Sequence, residues 1–156
     1  MDYRDSAALA RKHLDRRLSP LRKTSDLARP PRGWIKAIRE ALGMTTAQLA
    51  ERLGVSQPRI PQLEKAEAAD RITLRTLREA AQGLNCTLVY ALVPNEPLDD
   101  VIHQRARAVA EQQLARTDHT MKLENQALEP REIKAERERL VDELIRGDPR
   151  RLWEVG

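Results

Sequence analysis

Between Trp34 and Gly83, signals that stop a helix recur too often for a long helix to form. Gly43, Gly54 and Gly83 each follow or end a run of helically spaced apolar residues, and glycine closes a helix in the left-handed conformation without a Cβ penalty. Thr45, Ser56 and Thr73 stand where the next run begins, each with a hydroxyl able to accept an orphan amide of a first turn. The runs are Trp34, Ile35, Ile38 and Leu42; then Leu49, Ala50 and Leu53; then Ile60 and Leu63; then Leu74, Leu77 and Ala81. Four helices of about two to three turns in about 50 residues bury their stripes as a small bundle.

On either side the pattern changes. Ser6 is placed to cap a helix running to about Leu18, with Ala10, Leu14, Leu18 and Leu21 near one side, until Ser19-Pro20 interrupts it. Pro30-Pro31-Arg32-Gly33 then reads as a linker. After the bundle, Cys86 to Val93 is apolar at both parities, rich in β-branched residues and closed by Pro94, which predicts a short strand buried on both faces. A lone strand leaves its amides unpaired. Its expected partner is the same strand of a second subunit, making Leu88, Val89, Tyr90, Ala91 and Leu92 the candidate dimerisation residues; pairing with the tail, or a buried helix turn, are the alternatives. The tail returns to helical spacing with Ile102, Ala106, Val109, Ala110, Leu114, Thr117 and Met121. Pro130 starts another helix, with Ile133, Leu140, Val141, Leu144 and Ile145 as its stripe, Asp142 and Arg146 spaced for an i,i+4 pair, and Gly147 as its stop.

The expected fold is therefore mainly α: a four-helix bundle with one short β-strand and N- and C-terminal helical extensions. Its parts are a basic helical arm and linker at 1–33, the bundle at 34–84, the pairing strand at 85–94 and a helical region at 95–156.

The chain has 156 residues and a net charge of +4, unevenly spread: residues 1–32 carry a net +5, residues 33–94 a net +2 and residues 95–156 a net −3. Positive charge ahead of and within the bundle suits a polyanionic partner. With no Phe and 3% aromatic residues, the chain lacks the stacking platforms that single-stranded nucleic acid requires, so duplex DNA is the expected partner. The charged start is unlike a signal peptide, no run is apolar enough to span a membrane, and the single Cys86 cannot form an intramolecular disulfide. A cytoplasmic, nucleoid-associated protein is expected, with Cys86 a small buried hydrophobe. His13, His103 and His119 are far apart, and no GxxxxGK[ST], GxGxxG or GxSxG stretch occurs. Neither an enzyme nor a bound metal or cofactor is expected.

The stretch from Thr45 to Glu67 carries the function. Two helices meeting steeply need a small residue at their approach, which Ala50 provides, and a tight turn, which Gly54 provides. With Val55, Ile60 and Leu63 pointing inward, Gln57, Pro58, Arg59, Pro61, Gln62 and Lys65 fall on the outer surface of the third helix. Such a front fits the major groove, where glutamine can bond an adenine edge with two hydrogen bonds. The candidate DNA-binding residues are Thr45, Thr46, Ser56, Gln57, Pro58, Arg59, Gln62 and Lys65. Gln57 and Gln62 are the expected base readers, and Arg59 and Lys65 the expected phosphate contacts. Arg39, Arg52 and Arg71 read as solvated charges.

Leu49-Ala50, Gly54-Val55-Ser56 and Leu63-Glu64 stand together at relative spacings that resemble the Xre-type helix-turn-helix of lambdoid repressors and Cro, over about residues 34–84. GWIKAIREALGMT, LNCTLVYALVP, Asp118-His119-Thr120-Met121 and PRRLWE further resemble the family called mobile mystery protein A, across nearly the whole chain. That resemblance implies a transcriptional repressor or antitoxin, encoded beside a Fic-domain protein; the expected pairing strand adds a homodimer, whose twofold symmetry matches an inverted-repeat operator. A module that mainly restrains a toxin, with DNA binding secondary, is the alternative. Arg150, Arg151 and Trp153 at the chain's end have the composition of a protein-interface anchor. Two departures from the Xre pattern stand out. Thr46 occupies a position usually held by a phosphate-binding glutamine, and Pro58 and Pro61 replace polar residues on the reading helix. Pro61 removes a donor to the Gln57 carbonyl, tightening or bending the first turn, while Pro58 offers an apolar surface to a thymine methyl.

Overall fold

The computed structural model describes residues 2–23, 27–123 and 129–154. The chain divides into two compact units, Thr24–Leu92 and the combination of Met1–Lys23 with Val93–Gly156.

The unit Thr24–Leu92 holds α2 (Trp34–Ala41), α3 (Thr46–Leu53), α4 (Arg59–Ala68) and α5 (Leu74–Gly83), following α1 of the other unit. Thr45 and Gln48 form a reciprocal capping box at the start of α3, and Gly54, at φ 66°, ends it. Thr73 caps α5 by accepting the Thr76 amide at 3.1 Å. Leu49, Ala50, Ile60, Leu63, Ala80 and Leu84 join Ile35 in the buried core, with the half-buried Cys86 packed at its edge. The short helices of the bundle thus follow the glycine stops and most of the apolar stripes, but Trp34, Leu42 and Leu74 of those stripes stay exposed.

Three expectations fail here. Ser56 caps nothing with its side chain: α4 begins at Arg59 behind Pro58, and the Ser56 carbonyl accepts the Arg59 amide at 3.0 Å. The proline at 58 adopts the helical φ by itself, so the chain turns into α4 without a hydroxyl cap. Val55 stays 39% exposed instead of pointing inward. No strand forms over residues 86–93, nor elsewhere among the described residues. The segment is neither helical nor buried on both faces, for Val89 is 83% and Leu92 89% exposed. The physical reason is the missing ladder: the chain offers this segment no second strand to bond its amides.

The other unit is built on α1 (Tyr3–Leu18), α6 (Leu98–Leu123) and α7 (Pro130–Arg146). α1 starts behind Asp2, whose carbonyl accepts the Ser6 amide at 3.0 Å, so Ser6 lies inside the helix and does not cap it. Ser19–Lys23 continues as a 3-10 turn, as a proline at position 20 allows. α1 is pinned to the start of α6 by polar contacts. The Asp15 carboxylate accepts the Leu98 amide at 2.9 Å and pairs with Arg22, and Arg11 meets Asp99 at 2.7 Å. Leu152, 1% exposed, is carried by a closing 3-10 turn, Pro149–Trp153, into a core with Ile102 and Ala106 of α6 and Val141, Leu144 and Ile145 of α7. The expected Asp142–Arg146 pair does not form; on α7 Arg139 instead bridges Glu136 and Glu143.

Candidate nucleic-acid interface

α3 and α4 meet across the turn at Gly54 to Pro58, and the turn sets where the polar residues fall. Pro58, Gln62 and Lys65 recur at four and three residues along the exposed side of α4, so they form one row. The opposite side of the helix carries Ile60, Leu63, Glu64 and Glu67, all buried. Arg59 sits beside the row, lining a cleft of about 560 Å³ whose other walls include Arg52 and Val55 near the end of α3 and Glu79 of α5.

Gln57 and Thr46 come together. The Gln57 amide nitrogen donates to the Thr46 hydroxyl at 3.3 Å, joining the turn to the first residue of α3. A glutamine held at its amide nitrogen keeps its side-chain carbonyl oxygen available as an acceptor, so this contact restrains the side chain without using both of its polar atoms. Thr45 and Thr46 also start a helix, where the capping box takes the amides of Thr45 and Gln48 and leaves those of Thr46 and Ala47 without a partner within the helix, as groups that attract phosphate. Thr45, Ser56, Gln57, Pro58, Arg59, Gln62 and Lys65 are all exposed, and Thr46 is half-buried.

Pro61 lies in the first turn of α4. The carbonyl that a residue 61 amide would have engaged, that of Gln57, accepts the Ile60 amide at 3.1 Å instead. The first turn is closed by bonds spanning three residues, the tightening expected of a proline here. Proline costs little at this place, since the Gln57 carbonyl it would leave without a donor is satisfied by the Ile60 amide.

What holds α4 in place is a buried polar frame for which the sequence reading made no allowance. Arg39, 8% exposed, donates from Nε to Glu64 at 2.6 Å and from Nη1 to the Met44 carbonyl at 2.8 Å. The hydrogen bond to Glu64 and the neighbouring negative charges hold its guanidinium above the usual arginine range, against the opposing effect of burial. Glu67, 2% exposed, accepts the amides of Trp34 at 2.7 Å and Ile35 at 2.9 Å, capping α2 from a helix 33 residues away in sequence. Arg52 is also engaged, donating to the Gly83 carbonyl at 2.7 Å. Only Arg71, of the three arginines expected to be solvated, is exposed without such a contact. The signal for the frame was present: Glu64 and Glu67 share the helical face of Ile60 and Leu63, and a carboxylate in an apolar stripe needs a buried donor.

Residues 35–90 match the helix-turn-helix family model. The match covers α2 to α5 and runs on through Tyr90, and it suggests a DNA-binding regulator. No curated protein and no solved structure matches the chain.

The remaining candidate residues are placed as follows. Leu88 to Leu92 form neither helix nor strand, with Tyr90 65% exposed and Leu88 half-buried. Arg150, Arg151 and Trp153 lie on the closing 3-10 turn of the other unit. Trp153 is 54% exposed, with the Arg105 guanidinium 5.9 Å from its ring centre. Arg150 lies 4.8 Å over the Tyr3 ring and also grips Asp148, whose carboxyl it holds below the usual range. Among the described residues no group of His, Cys, Asp and Glu could hold a metal ion, and no helix is long and apolar enough to cross a membrane.

Proposed function

We propose that the chain is a sequence-specific transcriptional regulator of duplex DNA, reading the major groove with α4. The observation that carries this is the exposed row of Pro58, Gln62 and Lys65 along α4 beside a Gln57 bonded to Thr46. In this reading Gln57 and Gln62 bond base edges, and Pro58 meets a thymine methyl. Thr45, Thr46, Ser56, Arg59 and Lys65 contact phosphates. Two copies joined through Leu88 to Leu92 place two such helices on an inverted repeat. In this reading, supported by the resemblance to mobile mystery protein A, the protein acts as a repressor or antitoxin, with a Fic-domain protein as the partner held at Arg150, Arg151 and Trp153.

A second reading, of a module that mainly restrains a toxin, is favoured by the second compact unit, which has no part in a helix-turn-helix. The two readings differ in what an α4 variant changes. Gln57→Ala is expected to cost about 1 to 3 kcal/mol on the selected operator and little on scrambled duplex, as for a base contact. Lys65→Ala is expected to weaken both about equally. A titration in which Gln57→Ala lowers both alike rules out base reading by Gln57.

A further inference from the structure

On α1 the charged residues sort themselves by side. Arg11 and Asp15 face α6 and are spent on structure: Arg11 pairs with Asp99, and Asp15 with Arg22 and the Leu98 amide. Lys12, His13, Arg16 and Arg17 are all exposed. At 100° per residue they fall within one face, centred opposite the packed face of Ala7, Arg11, Asp15 and Leu18. None of the four has an ion pair or side-chain hydrogen bond among the described residues. The nearest carboxylate on that face, Asp5, pairs with Arg4 at 3.8 Å, about two turns away from Lys12.

Uncompensated positive charge on a rigid helix is unfavourable to itself, and a polyanion relieves it. Lys12, Arg16 and Arg17 span six residues, about 8 Å of helix axis, while a DNA duplex presents one phosphate charge per about 1.7 Å. Several phosphates of one duplex lie within reach of such a face. We infer that the outer face of α1 is a second nucleic-acid contact, binding the phosphate backbone of duplex DNA without reading sequence. This rests on the proposal that α4 binds DNA and adds to it a contact made by the other compact unit.

The test is the salt dependence of binding by the full-length protein to a mixed-sequence duplex of 40 base pairs, with Lys12→Ala/Arg16→Ala/Arg17→Ala beside the wild type. Each phosphate contact contributes about −0.9 to the slope of log K against log salt, so the triple variant is expected to lower the slope by about 2 to 3 and binding at low salt by more than tenfold. These positions are exposed, so helicity by circular dichroism is expected to match wild type. A slope unchanged in a folded variant overturns the inference and leaves α4 untouched. Conversely, binding that survives Arg59→Ala/Lys65→Ala in full but fails in the α1 variant overturns the α4 reading and keeps this one. Wild type that binds no duplex overturns both. Vesicles of phosphatidylserine that bind wild type and not the variant, with the DNA slope unchanged, assign the face to a membrane surface and overturn it as a DNA contact.

Discussion

Arg39 and Glu64 are 8% and 6% exposed and bond each other at 2.6 Å, so neither charge has water to fall back on. Removing one partner leaves the other buried and uncompensated, which costs about 3 to 5 kcal/mol, whereas replacing both with apolar residues of similar volume is often neutral. Glu64→Ala is therefore expected to lower unfolding free energy in urea by that amount, and Arg39→Met/Glu64→Leu to restore most of it. A Glu64→Ala loss under about 1 kcal/mol contradicts a buried pair. Read from the chain alone, Arg39 is an arginine on an amphipathic helix and belongs in solvent; nothing local marks it otherwise. Its role became visible only through Glu64, 25 residues on, because what buries an arginine is a carboxylate arriving from another helix. Thr45, Thr73 and Gly54 were legible because caps and positive φ are local physics, while the same reasoning misplaced caps at Ser6, which lies inside α1, and at Ser56, where Pro58 starts α4 instead.

Among the elements, α2 begins in an unusual way, and the reason lies in one glycine. Gly33 sits at φ 87° and ψ 161°, a region that side chains avoid, and a Cβ there would lie 2.6 Å from Glu67 Oε2. Glu67 occupies that space because it caps α2. Gly33→Ala therefore meets two costs together, backbone strain of about 1 to 3 kcal/mol and a lost cap of about 0.5 to 2 kcal/mol. At Gly54, φ 66°, a Cβ would meet nothing within 4 Å, and only the left-handed strain applies. Gly33→Ala is expected to lower the thermal midpoint clearly more than Gly54→Ala; equal losses remove the cap from the explanation. Helices were readable because their stripes and stops lie within a dozen residues. The strand expected over 86–93 does not form, because strand formation depends on a second chain segment, and apolar residues at both parities say only that the segment avoids water. Val89 and Leu92 are 83% and 89% exposed, with little among the described residues to cover them.

At the scale of the whole molecule, two proposals concern what covers the exposed surfaces. Val89 is so exposed in the single chain that changing it leaves the core untouched, which makes Val89→Asp a clean test of assembly. If Leu88 to Leu92 join two copies, the carboxylate is buried unpaired at the interface and the protein becomes monomeric by light scattering. Unchanged mass with an intact fold moves the interface elsewhere. The partner surface calls for a more careful choice of residue. Trp153 and Arg150 are engaged within their own unit, with Arg105 and with Tyr3 and Asp148, so truncating either disturbs that unit as well as any interface. Arg151 is exposed on the same turn and holds its place through its backbone, its amide donating to the Asp148 carbonyl at 3.1 Å. Arg151→Glu reverses charge at the proposed surface while leaving the Leu152 anchor in the core. It is expected to reduce co-purification of the neighbouring Fic-domain protein severalfold, with operator affinity within a factor of a few of wild type, since like-charge or mispaired contacts at an interface are costly while the residues of α3 and α4 are unchanged. Retention of the partner at wild-type levels excludes this turn as the docking site. Failure of wild type to bind the neighbour sinks the antitoxin reading and leaves the DNA-binding regulator standing.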